Sequence, residues 1–286
     1  MHPIIDKAGL SPNVTRLVVS APRIALVRRP GQFVIVRLGD GAERIPLTIA
    51  DADPDQGTIT LVIQAVGKST MDLAALEIGE AITDVAGPLG KETDLIDQGR
   101  AVCVGGGVGT AVVHPIAQGL HARGVEVTSI IGGRSRDRVI FEDELRRYGD
   151  VEVCTDDGSE GRHGFVTDAL RDQLDAGGVD HVYAVGPVPM MRAVALLTDR
   201  YAVPTVVSLN AIMVDGTGMC GGCRVTIGGQ TRYACVDGPE FDAHEVDFAQ
   251  LADRLTTYRP FEQGALERRA CRIPALAERS PTEAAR

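Results

Sequence analysis

The sequence of 286 residues predicts an antiparallel β-barrel, followed by an α/β domain with a parallel sheet and by a small domain folded around a ligand. Short segments rich in Val, Ile and Thr, separated by turn residues, fill the first part of the chain. Apolar strands alternate with helical segments from Gly99 onward. Residues 211–240 then hold seven glycines and three cysteines.

The first domain, residues 1–98, is predicted to be the barrel. Several short strands with Gly, Pro and Asp between them are typical of small antiparallel barrels. Ser69–Leu76 is the only short helix that we expect in this part. The predicted strands are Val14–Val19, Gln32–Leu38, Thr58–Gln64 and Ala81–Val85.

The second domain, residues 99–209, is predicted to contain a parallel sheet with helices on both faces. Parallel strands need a long crossover connection, which is usually a helix. The predicted strands are Ala101–Val104, Val125–Ile131, Val151–Cys154, His181–Val185 and Thr205–Leu209. The predicted helices are 110–122, Phe141–Tyr148, Phe165–Leu174 and Val188–Asp199.

A glycine-rich loop joins the first strand of this domain to its first helix. Backbone N–H groups and the positive end of a helix favour phosphate, so Gly105–Gly109 indicates a nucleotide site. Thr110 replaces the third glycine of the G-x-G-x-x-G motif, and a tight strand–helix turn is the alternative interpretation. Arg134 and Arg136 follow the second strand and either contact a 2′-phosphate or are solvated. Three other strand ends reach the same sheet edge: Gly132-Gly133, Thr155–Gly158 and Gly186-Pro187.

The third domain, residues 210–262, carries a cysteine cluster. Asp215-x4-Cys220-x2-Cys223…Cys235 matches the plant-type ferredoxin spacing, with aspartate in the first place. The neighbouring glycines allow the backbone to wrap a [2Fe–2S] cluster, and Cys220 and Cys223 can bind one iron from a single turn. One alternative is a structural zinc site, and another is that Asp215 and Gly216 only form a turn. An extended tail is predicted for residues 263–286.

The charge and the chain ends exclude several classes of function. The formal net charge is −10, and phosphate-backbone binding needs clustered Lys and Arg, so we expect no nucleic-acid partner. No apolar stretch approaches the ~20 residues that span a bilayer, and the N-terminus does not resemble a secretory signal. We therefore expect a cytoplasmic protein without a membrane partner, in which thiols stay reduced.

Two motifs in the barrel region offer donors for a diphosphate. The first is Arg44–Thr48, where the guanidinium group has a fork of donors. The second is Gly67–Thr70, which offers N–H and hydroxyl donors at the start of a short helix. Taken alone, Arg44 is more often a surface charge, and the second motif lacks the upstream glycine of a P-loop.

The order of these motifs resembles the ferredoxin–NADP reductase superfamily. Gly-Gln-Phe, Arg-x-Pro-Leu-Thr, Gly-x-Ser-Thr, Gly-Gly-Gly-Val-Gly, Thr-Asp-Asp-Gly-Ser, Val-Gly-Pro-Val-Pro-Met-Met and the cysteine cluster follow one another. The branch that it resembles most is the small subunit of NADH-dependent ferredoxin:NADP oxidoreductase. The electron-transfer subunit of dihydroorotate dehydrogenase is similar as well. The resemblance covers about residues 1–260 and implies a ferredoxin reductase-like fold.

The resemblance implies an electron-transfer flavoprotein subunit with FAD in the barrel, NAD(P)H in the α/β domain and a [2Fe–2S] cluster in the third domain. Hydride transfer needs no general acid or base, so no catalytic residue is expected. By resemblance, the flavin is lined by Arg44, Pro46, Leu47 and Thr48, with Gly67, Ser69 and Thr70 at its diphosphate. The nicotinamide nucleotide is expected at Gly106, Gly107, Val108, Gly109, Asp157, Gly186 and Pro187. The implied cluster ligands are Asp215, Cys220, Cys223 and Cys235.

The resemblance also implies a partner. In this family the small subunit pairs with a larger flavin and iron–sulfur subunit, so we expect a heterodimer. One alternative function is electron transfer to a dihydroorotate dehydrogenase, although that branch resembles a four-cysteine pattern and Asp215 departs from it. The other alternative is a non-catalytic redox sensor or zinc-stabilised module.

Overall fold

The computed structural model describes residues 1–277 of the chain. No helix in this part is both long and apolar enough to cross a membrane.

The first region is a seven-stranded antiparallel barrel, as predicted. Its elements are β1 (His2–Ser11), β2 (Val14–Ser20), α1 (Pro22–Val27), β3 (Phe33–Arg37), β4 (Ile45–Asp53), β5 (Thr58–Gln64), α2 (Lys68–Ala74), β6 (Ala81–Ile82) and β7 (Asp84–Leu89). The strand order is β6-β1-β2-β5-β4-β3-β7. Because Thr83 alone separates the two edge strands, the ends of the sheet adjoin and the barrel is nearly closed. Its core is aliphatic, with Leu17, Val34, Ile59, Leu61 and Ile63 almost fully buried.

Two long strands of the barrel are not predicted from the sequence. β1 contains Pro, Asp, Lys and Gly, which are all uncommon in strands, and β4 begins inside the Arg44–Thr48 motif. β4 forms because it pairs with β3, placing Thr48 opposite Phe33 and Pro46 opposite Ile35. Pairing between distant segments therefore decides the structure here, and it sets the motif on a rigid strand.

The second region confirms the predicted α/β domain. Its strands are β8 (Arg100–Gly106), β9 (Glu126–Gly133), β10 (Asp150–Thr155), β11 (Arg162–His163), β12 (His181–Val185) and β13 (Thr205–Ser208). Its helices are α3 (Thr110–Ala122), α4 (Glu142–Leu145), α5 (Val166–Ala176) and α6 (Val188–Arg200). The parallel strands lie in the order β11-β10-β9-β8-β12-β13. The order reverses at β8, so the glycine-rich loop after β8 lies where parallel sheets bind ligands.

The third region is joined to the α/β sheet. It contains β14 (Arg224–Ile227), β15 (Gln230–Tyr233), α7 (Ala234–Asp237), β16 (Glu240–Asp242), α8 (Phe248–Arg254) and α9 (Arg259–Ala277). β16 pairs antiparallel with β13 and becomes the edge strand of the α/β sheet. Residues 210–262 are therefore not an isolated unit, although we predict a boundary at 210.

The extended tail predicted from residue 263 is wrong for the described residues. Residues 263–277 belong to α9, and residues 278–286 lie outside the described part of the chain. The segment is rich in Ala, Arg, Glu and Leu, which are strong helix formers, and this explains the difference.

An apolar contact joins the barrel to the α/β domain. The ring nitrogen Nδ1 of His114 on α3 lies 2.9 Å from the carbonyl oxygen of Ala50 on β4. The His114 ring also meets the Phe141 ring edge-on, with centroids 5.1 Å apart. This contact fixes the position of the glycine-rich loop relative to the barrel. The buried residues of the interface are Val14, Ala50, Val62, Ala111, Ile140 and Phe141.

Candidate functional site

A cleft of about 840 Å³ opens between the barrel and the carboxyl edge of the parallel sheet. The barrel contributes Asn13 and Gln64, and the α/β domain contributes the other walls. Three residues predicted from the sequence line it, namely Gly106, Gly107 and Pro187. A cleft of this size at the switch point of a parallel sheet suits a nucleotide.

The glycine-rich loop has no room for side chains on its inner side. A Cβ atom on Gly109 would lie 2.4 Å from the carbonyl oxygen of Val185, and one on Gly106 would lie 2.4 Å from the sulfur of Met190. Gly107 has φ of +55° and faces open space, which leaves its backbone accessible from the cleft. Val108 and Gly109 do not line the cleft, since Val108 packs against the domain interface.

The aspartate that lines the cleft is the residue before the predicted Asp157. Asp157 turns away from the cleft wall and accepts hydrogen bonds from the N–H of Ser159 at 2.9 Å and from its hydroxyl at 2.6 Å. These bonds lower the pKa of the Asp157 carboxyl below its ordinary value. Asp156 lines the cleft instead. The prediction of Asp157 as a cleft residue is therefore shifted by one position.

The cleft also contains residues that the sequence does not single out. Phe165 has 65% of its surface exposed, although it lies beside the buried start of α5. Arg134 lines the cleft, whereas Arg136 forms an ion pair with Glu160. The aromatic residue directly after Gly164 is the sequence signal that could have marked Phe165. Met190 also reaches the cleft.

The barrel motif presents a half-exposed face. Arg44 is exposed at the start of β4, and Pro46, Leu47 and Thr48 are half-buried along that strand. Apolar groups left partly uncovered on a rigid strand fit a planar ring such as a flavin, which would cover them.

In the second barrel motif, the Thr70 hydroxyl has a local structural role. The hydroxyl of Thr70 accepts the N–H of Gly67 at 2.9 Å and donates to the carbonyl oxygen of Gly67 at 2.9 Å, so it caps α2. Ser69 instead donates its hydroxyl to Glu43. Ser69, Glu43 and Lys68 line a cavity of about 250 Å³ between α2 and the C-terminal end of β3. Ser69 and Gly67 therefore fit the predicted diphosphate site better than the Thr70 hydroxyl does.

The cysteine loop depends on glycines in left-handed conformation. Gly216, Gly218 and Gly221 have φ of +82°, +84° and +66°. This backbone directs the N–H groups of Gly222, Asp215 and Val214 to the sulfur of Cys220, and they lower the pKa of its thiol. Amides aimed at a sulfur are what an iron–sulfur cluster requires of its loop.

The four predicted ligands lie in two pairs. The sulfur atoms of Cys223 and Cys235 are 3.2 Å apart, unbridged and buried. Burial, together with the Cys223 thiol, raises the pKa of Cys235 to about 12. Cys220 and Asp215 form the more exposed pair. Cys223 is thus closer to sharing an iron with Cys235 than with Cys220, which differs from our expectation.

Asp215 has an ordered carboxylate. Its Oδ2 accepts the N–H of Thr217 at 3.0 Å, the hydroxyl of Thr217 at 2.5 Å and the N–H of Met219 at 3.3 Å. These hydrogen bonds, with a smaller effect of Arg44, keep the pKa of Asp215 low and its carboxylate charged. In residues 1–277, no three His, Cys, Asp or Glu side chains gather around a point that suits a single metal ion. Two ligand pairs fit a two-iron cluster.

The cysteine loop packs directly on the barrel. A Cβ atom on Gly216 would lie 2.8 Å from Leu89 on β7 and 2.9 Å from Ile35 on β3. The charge of Arg44 is close enough to lower the pKa of Asp215. The loop with the four candidate ligands is therefore adjacent to the strand that carries the flavin motif.

Comparisons with known proteins give the same division of the chain. Residues 103–195 match the family model of the oxidoreductase NAD-binding domain. Residues 210–247 match the iron–sulfur cluster binding domain of dihydroorotate dehydrogenase B.

Several relatives match nearly the whole chain. A dihydroorotate dehydrogenase B (NAD(+)) electron transfer subunit homolog of Thermotoga maritima is 44% identical over 94% of this chain and 95% of its own. The electron transfer subunit of Geobacillus kaustophilus is 38% identical over 80% of this chain and 91% of its own.

Solved structures agree with the fold. A chain of an NADH-dependent reduced ferredoxin-NADP oxidoreductase is 43% identical, covers 94% of this chain and 97% of its own, and superimposes with a TM-score of 0.90. The cytochrome b5 reductase domain of Ulva prolifera nitrate reductase is 17% identical, with a TM-score of 0.56 over 70% of this chain and 92% of its own. This second likeness concerns the fold alone.

Proposed function

Since this chain belongs to the family of dihydroorotate dehydrogenase B electron transfer subunits and their homologues, we propose that it passes electrons between NAD(P)H, FAD and a [2Fe–2S] cluster. It is a flavin- and iron–sulfur-dependent oxidoreductase subunit. FAD supplies the conversion between hydride transfer and single-electron transfer, and a [2Fe–2S] cluster supplies a one-electron carrier.

The observation that carries this function is the contact between the cysteine loop and the barrel. Glycine is the only residue type that fits at position 216, because a Cβ atom there would clash with Leu89 and Ile35. The cysteine loop therefore packs directly against β3 and β7. Arg44, the first residue of the flavin motif, is close enough for its charge to act on Asp215. This arrangement keeps a cluster and a flavin close together, which single-electron transfer requires.

The residues of the chain bind and orient the cofactors. Gly106 and Gly107 leave the backbone bare where the nicotinamide nucleotide enters, with Gly186-Pro187 packed beside Gly106. Arg44, Pro46, Leu47 and Thr48 support the flavin on β4, with Gly67 and Ser69 at its diphosphate. The cluster ligands in this proposal are Asp215, Cys220, Cys223 and Cys235. The three cysteines would bind iron as thiolates, so their thiol protons would be released on binding.

The partner is proposed to be a larger flavin and iron–sulfur subunit in a cytoplasmic heterodimer. Three apolar side chains near the candidate ligands are exposed: Met219 (87%), Val214 (48%) and Val236 (39%). Cys220 is exposed in the same loop. An apolar patch beside a redox centre fits a subunit interface through which electrons leave.

The test is the cofactor content of the anaerobically purified chain. We expect about one FAD and about two iron atoms per chain, and an EPR signal after reduction by NADH. The chain alone should reduce artificial acceptors with NADH and should show little ferredoxin–NADP turnover. A colourless protein that contains zinc and no flavin would refute the proposal and favour the zinc-stabilised module.

A second candidate function is electron transfer to a dihydroorotate dehydrogenase. It is favoured by the names of the relatives and by the family model that matches residues 210–247. The two functions differ in the partner, so affinity purification from the native cell distinguishes them. Recovery of a larger iron–sulfur flavoprotein supports the first function, and recovery of a dihydroorotate-oxidising subunit supports the second.

A further inference from the structure

The C-terminal helix α9 reaches back to the barrel. Nε of Arg269 lies 2.7 Å from Oδ1 of Asp72 on α2. The two side chains retain only 26% and 32% of their exposure, so the ion pair is partly shielded from water. Arg269 lies ten residues into α9, about 15 Å from the start of the helix, and there the helix meets α2.

Asp72 holds a second cation. Nζ of Lys68 lies 2.7 Å from its other oxygen, Oδ2. Partial burial acts to raise the pKa of Asp72, but the hydrogen bonds from Arg269 and Lys68 outweigh it and leave the pKa below its ordinary value. The carboxylate is therefore charged, and its single negative charge is shared between the two cations.

The same carboxylate lines the cavity beside Ser69. Asp40 and Glu43 line this cavity too, so three carboxylates surround the place where a diphosphate is expected, with Lys68 as the cation in the wall. A diphosphate is repelled by uncompensated carboxylates at short range. Arg269 removes part of that repulsion from a position just outside the cavity.

We propose that α9 is part of the flavin site and that Arg269, by neutralising Asp72, makes the acidic rim of this cavity compatible with the diphosphate of FAD. This inference rests on the proposed function, because it presumes that FAD binds the barrel. Arg269 is a positioning and charge-compensating residue here, since its neighbour in the structure is Asp72.

The test measures flavin affinity of the deflavinated protein by quenching of flavin fluorescence. Arg269→Gln should weaken FAD binding about three- to fivefold at low salt, as expected for a partly exposed charge, and the difference should shrink at about 1 M salt. Riboflavin lacks phosphate, so its affinity should not change. Arg268→Gln removes the same charge from the adjacent position of α9 and should leave FAD affinity within about twofold of the wild type.

A double variant identifies the mechanism. Asp72→Asn combined with Arg269→Gln removes one negative and one positive charge, so the net charge beside the cavity returns to that of the wild type. FAD affinity should therefore be restored. The inference is overturned if Arg269→Gln binds FAD like the wild type, if riboflavin weakens equally, or if the double variant stays as weak as the single one. A wild-type protein that binds no FAD would refute the proposed function itself, and the variants would then not be needed.

Discussion

At the scale of single residues, Asp215 is the most informative position of the candidate cluster site. Its carboxylate is held by Thr217 and Met219 and lies next to Cys220 in the same loop. A carboxylate oxygen is a harder ligand than a thiolate and donates less electron density to iron. As a proposed cluster ligand, Asp215 is therefore expected to set the redox potential of the cluster as well as to complete its ligand set.

Replacing Asp215 separates these two roles. Asp215→Cys should retain the cluster and lower its reduction potential by on the order of tens of millivolts, because a fourth thiolate stabilises the oxidised iron. EPR-monitored redox titration checks this result. Asp215→Ala should lose iron instead. If both variants keep wild-type iron content and potential, Asp215 is only a turn residue.

Glu43 provides a second prediction at this scale. It accepts the hydroxyl of Ser69 and thereby occupies the group expected to bind the flavin diphosphate. Glu43→Gln should tighten FAD binding about two- to fivefold, because the Ser69 hydroxyl loses its charged acceptor and can donate to the diphosphate instead. Fluorescence titration of the deflavinated protein measures it. Asp40→Asn is the control, because Asp40 lines the same cavity and does not hold Ser69; an equal gain there would assign the effect to charge alone.

At the scale of elements, the junction of β8 and α3 determines the nucleotide site. The loop fits because Gly109 passes against the backbone of Val185, where even a methyl group would clash. Gly109→Ala should lower stability by about 1–3 kcal/mol and reduce NADH-dependent acceptor reduction, while FAD and iron content stay unchanged. Gly9→Ala, with open space at its Cβ position and outside both the cleft and the diphosphate cavity, serves as the control. A fully active, equally stable Gly109→Ala protein would contradict this account of the loop.

The elements that the sequence predicts are those with a strong local signal. The buried strands β8 and β12 are continuous apolar runs, and the spacing from Asp215 to Cys235 is visible without a structure. β1 and β4 are missed because their residues favour strands weakly and pairing with distant strands decides their structure. Arg269 is missed for the same reason, since its partner Asp72 is far away in sequence.

The site shows the same division between local and distant information. The sequence locates the glycine-rich loop and the cysteine cluster. It does not show that the Thr70 hydroxyl caps α2, or that Asp156 rather than Asp157 lines the cleft. Such assignments depend on side-chain direction. Motif positions therefore give the region of a site more reliably than the role of each residue in it.

At the scale of the whole molecule, a buried carboxylate lies where the three regions meet. Oε1 of Glu240 on β16 accepts the hydroxyl of Thr93 at 3.0 Å, and its Oε2 is buried without a hydrogen-bond partner in the described part of the chain. A Cβ atom on Gly31 of the barrel would come within 3.0 Å of this carboxylate. Burial raises the pKa of Glu240 to about 7.

This carboxylate makes stability depend on pH. The unfolded chain releases the Glu240 proton near pH ~4.3 and the folded protein releases it near pH 7, so the unfolded state binds fewer protons between these values. Stability should therefore fall as pH rises through this window, by up to about 3 kcal/mol, and then level off. Glu240→Gln should remove the slope and be more stable than the wild type at about pH 8.

The measurement is the midpoint of chemical unfolding across this pH range. Exposed Glu245 is the matched control, since Glu245→Gln should keep the wild-type slope. A wild-type protein whose stability rises steadily from pH 5 to 7 would contradict a buried, protonated Glu240.

The pairing of β16 with β13 has a mechanical consequence. The chain leaves the parallel sheet at Ser208, passes through the cysteine loop and returns at Glu240, which lies directly opposite Ser208. Both ends of the segment that carries the cysteine loop are held at the same sheet edge, so this loop cannot move far from the α/β domain. A redox centre held in the cysteine loop would stay in place, and its electron acceptor would have to dock beside it.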